Sequence, residues 1–169
     1  MSGLPVGQFV KSFPIPHEPA DTQYFAAGPL TIGVEYRLFD PVAERQRLTQ
    51  EEIDAAGPDS LFSRDDVDQG VSFHVFATEG LVEYLRYDCF ADEPHYHYIV
   101  PGDGNMLVHY DTTANGPMVD WAVRMIRTRT PEMLDAVGAT ELAEGIDPGV
   151  LSAAMDEAEA TAREKVPSA

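Results

Sequence analysis

The feature that most limits the fold is a pair of strand-type runs, HYHYIV at 95–100 and MLVHYD at 106–111, on either side of the pentapeptide PGDGN. Proline, glycine, aspartate and asparagine all tolerate turn backbone, and the flanking runs are aromatic and β-branched, so the segment reads as a β-hairpin. A second hairpin signal comes just before it, Val71 to Ala77 and Leu81 to Phe90 across Thr78-Glu79-Gly80. Further back, Leu30, Ile32, Val34, Tyr36 and Leu38 alternate with Thr31, Gly33, Glu35 and Arg37, the pattern of a half-buried strand. These segments predict about five mostly antiparallel strands in a meander.

Helical periodicity occupies the rest. Pro41 to Ala56 is rich in Ala, Glu, Arg and Gln, with Thr49 and Glu52 at capping-box spacing, and predicts one inserted helix or two short ones. The segment 117–165 is predicted to be helical and to cover the sheet. Met118, Trp121, Ala122, Met125 and Ile126 recur at helical spacing, Pro131 opens a second short helix, and Asp147-Pro148 caps a last one reaching about Lys165. That last helix carries a thin apolar stripe of Val150, Leu151 and Met155, which leaves it free to pair with a partner. Residues 1–27 differ from the remainder. Pro5, Pro14, Pro16 and Pro19 disfavour regular structure, yet Phe9, Phe13, Ile15, Tyr24 and Phe25 are too apolar for a free tail. The organisation expected is an extended arm, 1–27, laid on the domain or on another subunit, followed by one α+β domain, 28–169.

Charge narrows the partners. With 29 acidic against 11 basic side chains the net charge is −18, which repels phosphate backbones and anionic lipid surfaces, so neither nucleic acid nor a membrane is the expected partner. The single cysteine, Cys89, fits a reducing compartment and reads as a small hydrophobe within its strand. The first residues hold no apolar stretch of signal-peptide length, and a cytoplasmic location is the expectation.

The chemistry-bearing residues cluster in the hairpin. Side chains alternate across a strand, so His95 and His97 share one face. A five-residue loop pairs Val100 with Met106, which sets His97 opposite His109 and His95 opposite Asp111, close enough for three imidazoles and a carboxylate to converge. Such a donor set, His95, His97, His109 and Asp111, suits Zn, Fe, Mn, Ni or Cu. Without a metal, His97 or His109 could serve as acid or base with Asp111 orienting it. The prediction requires an odd loop length, because an even one turns His109 to the other face. The H-x-H pair with a later histidine resembles the cupin-type metal site, although the glycine and glutamate that surround the cupin pair are missing. Outside the hairpin, Arg124, Arg127 and Arg129 fit a helix C-terminus, and His74 packs or bonds within the sheet.

The stretch DCFADEPHYHYI, and PHYHY above all, resembles a family of small bacterial domains without an assigned activity. Three functional readings follow. The leading one is an accessory or subunit protein that binds a protein partner or forms a homo-oligomer, motivated by the apolar arm, the thin stripe and the lack of a complete catalytic signature. The second is a metal-dependent enzyme or metal-binding protein using the hairpin residues. The third is metal-free small-molecule binding on the sheet face.

Overall fold

The computed structural model describes residues 7–11, 14–58 and 60–167, the side chain of Leu61 excepted. Pro5 and Phe13 of the arm lie outside the described residues. The fold is α+β, with one antiparallel sheet of seven strands rather than about five: β1 (Gln8–Val10), β2 (Gln23–Ala27), β3 (Leu30–Phe39), β4 (Asp68–Ala77), β5 (Val82–Phe90), β6 (His95–Val100) and β7 (Gly104–His109). Their spatial order, β1-β7-β6-β5-β4-β3-β2, is a meander from β2 to β7 with β1 added beyond β7. The two additional strands both come from the first 27 residues, at opposite edges of the sheet. β1 is only three residues long and β2 is an edge strand without clear alternation, so periodicity did not reveal them.

Six helices are present among the described residues: α1 (Pro41–Arg45), α2 (Gln50–Ala56), α3 (Thr112–Asn115), α4 (Met118–Ala136), α5 (Thr140–Glu144) and α6 (Pro148–Lys165). The inserted segment thus takes the second of the two forms expected, two short helices. Asp40 caps the first and the Thr49–Glu52 capping box opens the second. Pro131 does not open a new helix, because α4 runs through it. The missing N–H leaves the Arg127 carbonyl without its helical donor, but Ile126, Thr130, Met133 and Leu134 are all buried, and that packing outweighs the cost of about 3 kcal/mol. Among the described residues, no helix is long and apolar enough to cross a membrane.

The two faces of the sheet differ in kind. One face presents Leu30, Ile32, Val34, Val71, Phe73, Val75, Leu85 and Tyr87 to α4 and α6, and this is the apolar core. Trp121 of α4 lies within 5.0 Å, between ring centroids, of both Tyr96 and Tyr110. Leu151, Met155, Ala158 and Ala162 of α6 are buried against β2 and β3, so two of the three stripe residues have their partner within the chain, while Val150 stays exposed. Arg127 ties the two long helices together by donating to Ser152, Asp156 and Glu159. Asp147 caps α6 by accepting from the Gly149 and Val150 N–H groups. Asp147→Ala is expected to lower stability by about 1 kcal/mol in urea unfolding.

The opposite face is polar yet buried. Glu35, Ser72, His74, Arg86, Asp88, His95, His97 and Asn105 are all buried there. Residues 14–18 lie across it and are bonded to it: Arg86 donates to the Ile15 carbonyl (2.6 Å), and the Glu18 N–H donates to Glu35 (3.1 Å). Burying this many polar groups in place of apolar ones is costly unless each has a partner, which marks this face as the place to look for chemistry.

Candidate metal centre

The β6–β7 hairpin turns in three residues, not five. Val100 faces Gly104, with the Asp103 N–H donating to the Val100 carbonyl (3.0 Å). Gly102 (φ 82°) and Gly104 (φ 148°) supply backbone that other residues rarely adopt, and this lets β7 begin two residues earlier than the sequence reading placed it. The register moves by an even step, so His109 stays on the face of His95 and His97. Its partner changes, since His95 now pairs with His109 and His97 with Leu107.

His95 and His97 come together, with ring centroids 4.9 Å apart. The carboxylate that joins them is not Asp111 but Asp88, from the neighbouring strand β5, where Asp88 pairs with His95. Asp88 Oδ2 lies 3.2 Å from His95 Nε2 and 3.1 Å from His97 Nε2, and the three ligand atoms fall within 4.8 Å of one another. Ser72 donates to Asp88 Oδ1 and fixes its other oxygen. Asp111 sits past the end of β7 and accepts from the Thr113 and Ala114 N–H groups as the cap of α3. His109 is at the rim, its side chain 57% exposed and its Nδ1 3.8 Å from Glu93.

The far side of each ring decides what its near side can do. His95 Nδ1 lies 2.7 Å from the Glu93 carbonyl oxygen, which can only accept, so Nδ1 carries the proton. That carbonyl is itself fixed, because Asp68 accepts the N–H groups of Ala91, Asp92 and Glu93 and pins the turn. His97 Nδ1 meets Asn105 Oδ1 at 2.8 Å and donates in the same way. In the neutral state, both Nε2 lone pairs therefore point at the Asp88 carboxylate. Burial favours that neutral state for His97, pulling it below the ordinary histidine range in spite of Asp88. The Asp88 carboxyl, pushed up by burial, is held well below its usual range only when hydrogen bonds and positive charge reach it from the side of His95 and His97. An ionised carboxylate facing two lone pairs is repulsive unless a positive charge stands between them, and a proton on one ring relieves only one of the two contacts.

A second polar cluster adjoins the first. His74 Nδ1 is 2.5 Å from Glu83 Oε1 and its Nε2 3.0 Å from Glu35 Oε2, so both nitrogens face acceptors. Arg86 holds Glu83 with a two-pronged grip, Nε at 2.9 Å and Nη2 at 2.7 Å. Burial raises the Glu83 carboxyl, but Arg86 and His74 outweigh it and keep the group far below the usual carboxylate range. Cys89, on the helix face, has its thiol pushed well up by burial and contributes no thiolate.

Residues 24–162 match the family model described as a domain of unknown function, DUF7700. The chain belongs to that family. The match runs from β2 into α6, so Asp88, His95, His97 and Asn105 all lie within the DUF7700 region, whereas β1 lies before it. No curated protein and no solved structure matches the chain.

Sequence reasoning missed Asp88, Ser72 and Asn105. A signal for Asp88 was present: in LVEYLRYDCF, Arg86 and Asp88 alternate with Leu85 and Tyr87, placing opposite charges on one face of a strand buried on both. Carrying the meander one strand back from the hairpin would have set that face beside His95.

Proposed function

We propose that this chain is a metal-binding domain that holds one divalent transition ion between His95 Nε2, His97 Nε2 and Asp88 Oδ2. The observation that carries the reading is the direction of the two rings. Each Nδ1 donates to a fixed oxygen, which leaves each Nε2 free to ligate, and an outer partner of this kind is what orients metal-bound histidines generally. A contact of 3.1–3.2 Å between nitrogen and oxygen also suits neighbouring ligands about 2.0–2.2 Å from a shared ion. Two imidazoles and one carboxylate accept Zn, Fe, Mn, Ni or Cu and leave coordination positions open. Such an ion supplies Lewis acidity and acidifies a bound water. Part of what favoured an accessory role, β1 of the arm and Leu151 and Met155 of the α6 stripe, packs within the chain, which shifts the weight to this site.

His109 lines the same cavity as the three ligands and reaches solvent, so in this reading it carries protons between the centre and bulk water. Elemental analysis of the purified full chain tests the proposal. About one equivalent of a transition metal is expected in wild type after reconstitution, and less than about a tenth in His97→Ala of unchanged circular dichroism. A wild type that stays metal-free would refute the reading. Asn105→Ala, which removes the outer partner of His97, is expected to weaken the metal by about 10- to 100-fold in a competition titration with a chelator.

A further inference from the structure

The three ligands open onto a cavity of about 80 Å³ on the polar face, lined also by Pro14, Ile15, Ala56 and Phe62. Its charge runs against that of the whole molecule. In a chain of net charge −18 with only 11 basic residues, the lining includes Arg37 and Arg86, together with His95, His97 and His109, against one carboxylate, Asp88. Arg86 is matched by Glu83. Arg37 is held only loosely, with Nη1 and Nη2 each 3.4 Å from the Ile15 carbonyl and Nε 3.9 Å from Glu35, a carboxylate already engaged by His74.

We infer that this cavity binds a small organic monoanion, a short-chain carboxylate, with its charged end toward the ion and its alkyl body against the apolar wall. The inference rests on the metal reading above. A divalent ion on two neutral imidazoles and Asp88 leaves a net positive charge, and an unbalanced charge in a site this buried is costly. An anion completes the balance. Hydroxide would do so too, but it makes no use of the wall formed by Val10, Phe39, Phe62, Phe90 and Leu107. Size sets the class: at about 10–15 Å³ for each water-sized occupant, the cavity takes roughly six heavy atoms, the number in butyrate.

Cobalt(II) is the reporter, because its visible absorption changes when a ligand joins its coordination shell. Full-length protein loaded with cobalt is titrated with butyrate and, separately, with butyramide, which has the same shape without the charge. A saturable spectral change with butyrate and none with butyramide is expected. Leu107→Phe, which fills the wall opposite His97, is expected to keep its cobalt and to weaken butyrate by about tenfold or more. If cobalt binds at one equivalent and butyrate leaves the spectrum unchanged, the anion site is overturned and the metal reading stands. A protein that takes up no cobalt overturns both. Equal responses to butyrate and butyramide, or an undiminished response in Leu107→Phe, also count against a charge-selective cavity.

Discussion

Glu83→Gln will destabilise the fold by about 3–5 kcal/mol, the scale for breaking a buried ion pair by removing one partner. Arg86 is 2% exposed, and it directs Nε and Nη2 at the Glu83 carboxylate. The amide keeps the shape of the side chain but offers one acceptor where there were two, and it presents an N–H₂ to a guanidinium or an imidazole. The Arg86 charge then stays buried without a paired carboxylate, facing the Ile15 carbonyl and at most one amide oxygen. Acid has the same target. The folded-state carboxyl of Glu83 lies below its ordinary value of 4.5, so its contribution is fully present above that pH and is lost as pH falls further. Glu35 shifts in the same direction: burial raises it, and the His74 hydrogen bond and Arg37 more than offset that. Urea unfolding at neutral pH and again below pH 4 should therefore show wild type and variant converging in acid. A gap that stays constant across that range would contradict the argument.

Metal loading will stabilise the chain by about 4 kcal/mol once the free ion reaches a thousand times its dissociation constant, provided the unfolded chain binds weakly. The ion relieves a conflict built into the folded state, namely an ionised Asp88 facing two imidazole lone pairs. Asp88→Asn removes both the anionic ligand and the conflict. Its thermal midpoint is expected not to respond to added zinc, while the wild-type midpoint rises with zinc concentration. Calorimetric scans with and without zinc measure this directly. A variant that gains as much as wild type would place the ion elsewhere.

The sequence made legible what depends on side-chain alternation. The shared face of His95, His97 and His109 survived a change of loop length from five residues to three, because both lengths are odd and the pleat repeats every two residues. The partner of each ring was not legible, since it shifts with every two-residue step. Asp111 looked like the fourth donor only while the hairpin extended that far. In the structure β7 ends at His109, and the Asp111 oxygens serve the N–H groups of α3. Asp88 was hidden for another reason: its closeness to His95 depends on the order of strands in the sheet, not on local pattern. β1 escaped because three residues carry too little periodicity to register.

Placing β1 beyond β7 fixes an order of events. Gln8 pairs with Leu107, roughly a hundred residues downstream, so the first strand of the chain cannot dock until nearly two thirds of the polypeptide has emerged and folded. Contacts of such high separation close late, since the entropy of the intervening loop has to be overcome before they form. β1, which brings Gln8 and Val10 to the cavity beside the histidines, is thus a late arrival during biosynthesis. The β7 edge of the cavity stands open to ions until that strand zips on.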